Sequence, residues 1–148
     1  MNTLLQKLWP SSAVAFALVL VVFGGYATMA AEKKDEIKVK LSGDQEVPPV
    51  KTEASGSGTI VISADKSVSG SITTSGVEAT AAHIHDGPAG KNGPVIIPLT
   101  KGPDNTWSVP AGAKLTDAQY KSYEAGDLYV NVHSAAHKGG EIRAQLKP

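Results

Sequence analysis

From residue 37 onward the chain is written in short runs of period two, separated by glycine, proline and other turn residues. Ile37-Lys38-Val39-Lys40-Leu41 sets the pattern. Side chains alternate faces along a strand, so the apolar residues share one face and the lysines the other. The same reasoning places strands at residues 59–62, 68–74, 81–85, 95–99, 106–109, 128–133 and 141–146. Residues 64–66 (ADK) make a turn that joins the second and third strands as a hairpin. Pro48-Pro49 bars a central strand at that point, because proline cannot donate to a ladder. Residues 86–93 (DGPAGKNG) form a turn-rich loop. Many short strands with frequent turn signals predict an all-β Greek-key sandwich or barrel.

One segment breaks the β pattern. Residues 116–124 (TDAQYKSYE) begin with Thr116, and Gln119 follows three positions later. That spacing is a capping box, in which each side chain satisfies the other's backbone N–H. Gly126 stands where a helix stop belongs. The sequence therefore predicts one short helix crossing between strands.

The first thirty-one residues read differently. Lys7 precedes the apolar run of residues 13–23 (AVAFALVLVVF), and residues 27–31 (ATMAA) are small. This is the layout of a secretory signal, with cleavage expected after Ala30 or Ala31. The alternative is an uncleaved anchor, although a spanning helix needs about 20 apolar residues. Residues 32–36 are expected to be a short tether, and residues 37–148 the domain. The expected location is periplasmic or extracellular, with N-terminal membrane anchoring as the alternative and no stable insertion once the leader is cut.

Composition removes several functions. Lys+Arg and Asp+Glu are both 14, so the basic excess of a nucleic-acid binder is missing. Cysteine is absent, which excludes a disulfide scaffold, a thiolate metal site and a cysteine nucleophile. No Gly-x-Ser-x-Gly elbow supports a serine nucleophile. The glycine-rich stretch at 87–93 lacks the spacing of a phosphate loop.

The 4 histidines fall in two pairs: His83 with His85, and His133 with His137. On a strand, His83 and His85 point the same way while Ile84 points opposite. In residues 128–133 (LYVNVH), Leu128, Val130 and Val132 form one face, and Tyr129, Asn131 and His133 the other. If these strands are neighbours, His83, His85 and His133 converge outward while the apolar set faces the core. Three imidazoles without a thiolate suit copper(II) or zinc. His137 is a candidate fourth ligand or an exposed residue. Asp86 and Glu141 are candidates to orient imidazoles, as carboxylates around metal ligands do, or are simply solvated.

These residues resemble a known family. Residues 41–50 (LSGDQEVPPV), residues 83–90 (HIHDGPAG) with Gly93-Pro94-Val95, and residues 129–133 (YVNVH) with residues 139–143 (GGEIR) are similar, in that order, to the motifs of the CHRD domain. The resemblance spans residues 37–146. It implies an extracellular or periplasmic β-sandwich and no settled activity; in chordin, such domains belong to an extracellular growth-factor binder. His137 and Ala144 depart from the usual closing motif, so a fourth ligand at His137 would be particular to this chain.

A more distant likeness is to copper/zinc superoxide dismutase, also a Greek-key β-sandwich. There, His83, His85 and His133 would match copper ligands and Arg143 the arginine that guides the anion. The histidine-rich zinc loop and the disulfide cysteines of that enzyme are missing here. Arg143 alternatively pairs with a carboxylate such as Glu141.

Three functions follow as expectations. The first is an exported module binding a metal ion, copper ahead of zinc, for storage, delivery or tolerance. The second is a non-catalytic interaction or structural domain with a protein partner. The third is an oxidoreductase of the dismutase kind.

Overall fold

The computed structural model describes residues 32–148. The expected leader, residues 1–31, lies outside the described residues. Among the described residues the chain is an all-β sandwich of two antiparallel sheets with one short α-helix, as the alternation predicts. The strands are β1 (Lys34–Leu41), β2 (Ser55–Ser63), β3 (Val68–Ser75), β4 (Ala79–Asp86), β5 (Val95–Pro98), β6 (Thr100–Lys101), β7 (Thr106–Ser108), β8 (Leu128–Ser134) and β9 (Ile142–Leu146). One sheet has the order β1-β2-β3-β7-β6 and the other β5-β4-β8-β9.

Three sequence boundaries are corrected. Residues 34–36 do not belong to a tether: β1 begins at Lys34, which pairs with Ser63, because β2 is long enough to template the extra residues. The strand expected at 95–99 ends one residue early. β5 ends at Pro98, and after Leu99 the chain changes sheets to form β6, too short to leave a period-two signature. Glu141 precedes β9 rather than opening it.

The core lies between the sheets. Ile37, Val39 and Leu41 of β1 meet Ile60, Ile62 and Ile72 from their own sheet, and Ile84, Val130, Val132, Ile142 and Leu146 from the other. Each such side chain, once buried, contributes roughly 1.5–3 kcal/mol. The helix α1 (Asp117–Glu124) joins β7 to β8. Its capping box forms as expected: Gln119 N–H donates to Thr116 Oγ1 at 3.2 Å, and Thr116 N–H to Gln119 Oε1 at 2.9 Å. Gly126 ends it at φ 78°, a left-handed value that glycine adopts without cost. The Tyr123 hydroxyl donates to Asp35 Oδ2 at 3.0 Å and ties the helix to β1.

The second face of sheet β5-β4-β8-β9 departs from expectation. An antiparallel sheet commonly leaves one face to solvent. Here β8 is buried on both faces: Tyr129 and Asn131, which point away from the core, are each 1% exposed. On neighbouring strands His85 and Arg143 are buried too. Loops lie over this face and make it a second, polar interior. The histidines therefore face away from the core, but not into open solvent.

Candidate metal centre

Register explains why these residues meet. β8 lies between β4 and β9. Across β4, His85 is opposite Tyr129 and His83 is opposite Asn131. Across β9, Gln145 is opposite Tyr129 and Arg143 is opposite Asn131. His133 sits two residues beyond Asn131 and so shares its face. One row of period-two alternation thus places three imidazoles, an amide and a guanidinium side by side.

His83, His85 and His133 each offer a ring nitrogen, and these atoms all lie within 4.8 Å of one another. Ligands bound about 2 Å from an ion stand roughly 3–4 Å apart, so a small contraction would close the set. Backbone carbonyls fix two of the three tautomers. His133 Nδ1–H donates to Lys138 O at 2.9 Å, which leaves a lone pair on Nε2. His85 Nδ1–H donates to Gly93 O at 2.9 Å, which leaves a lone pair on its Nε2. That Nε2 is buried and has no partner. His83 Nδ1 is 3.0 Å from His133 Nε2, so His83 Nδ1 carries the proton between them. A metal ion would replace that proton. Hydrogen bonds of this kind, from the non-ligating ring nitrogen to a carbonyl, orient histidine ligands in metal sites.

Burial holds all three imidazoles below their ordinary pKa, and for His83 the neighbouring His133 and His85 add to the effect. All three are therefore neutral at pH 7, the form that binds metal.

The loop after β4 forms the roof. Gly93 N–H donates to the Tyr129 hydroxyl at 3.1 Å. A Cβ on Gly93 would lie 1.7 Å from Asp86 O, so only glycine fits where the loop doubles back. Arg143 holds the other end, donating from Nη2 to Pro88 O at 3.1 Å and from Nη1 to Asn92 Oδ1 at 3.3 Å. Asn92 Nδ2 donates in turn to Val47 O at 2.7 Å. The Arg143 guanidinium carbon is 3.4 Å from the centre of the Tyr129 ring. The His85 ring stacks on Tyr129 from the β4 side, 4.7 Å between centroids and 6° from parallel.

Other expected residues take different places. His137 is not in the three-histidine group. Its carbonyl accepts from Ser134 and Gly140 N–H and so closes the turn before β9, while its side chain lies near Glu141. Asp86 accepts from Ser122 Oγ at 3.2 Å on the opposite face, so it anchors α1 rather than an imidazole. Glu141 accepts from Thr52 Oγ1 at 2.7 Å. Burial raises its pKa, but hydrogen bonds from Ser134 and Thr52, with His137 nearby, outweigh that and leave it lowered. Arg143, expected to guide an anion or to pair with Glu141, is 1% exposed and committed to the loop.

A family model for the CHRD domain matches residues 37–146. The chain belongs to the CHRD domain family. The match runs from within β1 to the end of β9, so every residue of the histidine group lies inside the CHRD domain. Searches of the curated proteins and of the solved structures each returned no match.

Two residues of this face escape sequence reasoning. Glu46 is 3% exposed, and its Oε1 has no hydrogen-bond partner. Burial raises its carboxyl pKa, against the pull of the Arg143 charge and the Asn131 amide. Asn131 is also buried, with Oδ1 unpartnered. For Asn131 the signal was available, since it shares a face with His133. For Glu46 there was none beyond its place before Val47-Pro48-Pro49.

Proposed function

We propose that this CHRD domain is a non-catalytic metal-binding module of the cell exterior or envelope, with copper as the ion and zinc as the next choice. One observation carries this reading: three imidazole nitrogens converge within 4.8 Å, and backbone carbonyls already fix the tautomers of two of them. Purely structural histidines would be expected to spend both nitrogens on partners, yet the buried His85 Nε2 has none. An all-nitrogen, thiolate-free set suits copper(II) first. The exported location rests on the leader composition and the family.

Two neighbouring readings receive less support. A dismutase would need a positive charge open to an incoming anion, and Arg143 is spent on the roof loop. A docking module would commonly expose an apolar patch. Among the described residues Val95 is the one large apolar side chain left exposed.

Copper(II) titration of the native chain with electron paramagnetic resonance tests the reading. A single tight site with nitrogen hyperfine structure, lost in His83→Ala, supports it. Weak binding that is unchanged in the variant refutes it.

A further inference from the structure

Resting on the metal-binding reading, we propose that Asn131 supplies the fourth protein ligand through its amide Oδ1, and that Glu46 is the positioning residue that turns that oxygen toward the ion.

Position comes first. Asn131 is directly opposite His83, diagonal to His85 and two residues from His133 on the same face. Facing pairs on antiparallel strands hold their Cβ atoms about 4.5–5.5 Å apart, and diagonal pairs remain within side-chain reach. Asn131 is the one residue of the face that borders all three histidines.

Orientation follows from the other flank. Gly140, at φ 130°, has no side chain, and the space is taken by its neighbours. A Cβ there would lie 2.4 Å from Glu46 Oε1 and 2.7 Å from Asn131 Nδ2. The amide nitrogen and the carboxylate thus share one crowded spot. With Nδ2 on the side of Gly140 and Glu46, Oδ1 is the amide atom left for the other side, where His83 faces Asn131 across the register.

The unmet hydrogen bonds decide what belongs between. Asn131 Oδ1 and His85 Nε2 are both buried and unpartnered, and both present lone pairs. Two acceptors cannot satisfy each other, and leaving both bare forfeits the hydrogen bonds that water would have given them. A cation between them satisfies both. The resulting set of three imidazoles and one amide oxygen suits copper(II) or zinc, and it assigns the fourth position to Asn131 rather than His137.

The test compares copper(II) affinity and paramagnetic resonance spectra of the full chain with Asn131→Ala, Asn131→Asp and Glu46→Gln. The native chain and all three variants should show three-nitrogen coupling. Asn131→Ala should bind about 10–100-fold more weakly, with an altered copper hyperfine splitting, and Asn131→Asp should recover most of the affinity. Glu46→Gln, which keeps the side-chain volume, should show a smaller loss in the same direction. It carries the test if Asn131→Ala does not fold. Unchanged affinity and spectrum in a folded Asn131→Ala or in Glu46→Gln would overturn the assignment while leaving the three-histidine site standing. Copper binding without nitrogen coupling in the native chain would remove the parent reading, and this assignment with it.

Discussion

His83 Nδ1 and His133 Nε2 stand 3.0 Å apart across β4 and β8, from residues 50 positions apart in the chain. The pairing depends on sandwich topology: β8 returns to β4 only after β6, β7 and α1 have formed elsewhere. The proton between these nitrogens marks where an ion would enter. Removing either side chain should abolish tight binding. His83→Ala and His133→Ala should each weaken copper(II) binding by about a hundredfold or more. Both residues are only partly buried, so the apo fold should survive, as circular dichroism would check.

Acid should weaken both the site and the fold. The three imidazoles lie below their ordinary value of 6.5 in the folded chain. Between 6.5 and those lower values the unfolded chain binds more protons, so folding stability falls as pH falls. The contribution is fully present above 6.5 and is lost as pH drops through the folded values. Copper affinity should likewise be flat above the lowered folded values and then decline by roughly tenfold per pH unit for each competing proton. Urea unfolding and copper titration across a pH series would measure both. Apo stability that rises on acidification would contradict the account.

Arg143 should act on stability rather than on charge steering. Arg143→Met keeps much of the apolar stem but leaves Pro88 O and the Asn92 side chain without their donor. It also leaves the buried Glu46 without its nearby positive charge. A loss of about 2–4 kcal/mol is expected. Urea unfolding would measure it, and faster proteolysis within residues 87–93 would localise it.

Gly93 should be intolerant of any side chain. In Gly93→Ala the new Cβ must displace Asp86 O, and the carbonyl that fixes the His85 tautomer would move with it. Stability should fall by about 1–3 kcal/mol, and copper affinity should fall alongside. Thr116→Ala gives the contrasting case. It removes the helix cap for about 1 kcal/mol and should leave copper affinity unchanged.

The fold and the three converging histidines are legible in the sequence because both depend on period-two alternation. His83, His85 and His133 could be assigned to one face before any strand pairing was known. The capping box at Thr116 is legible because its signal is local. Burial of that outer face was not legible. It follows from the loops over residues 87–93 and from Glu46, whose partners are distant in sequence. For that reason neither expectation for Arg143, an anion-guiding charge by the dismutase likeness or a partner of Glu141, anticipates its burial against Tyr129. β6 escaped because two residues carry no periodicity.

The most direct test is copper(II) titration of the native chain followed by electron paramagnetic resonance, with His83→Ala and His133→Ala measured beside it. The account predicts one tight site, coupling to three imidazole nitrogens, and loss of that site in both variants. Weak binding, or a site that survives either substitution with the same spectrum, would contradict it.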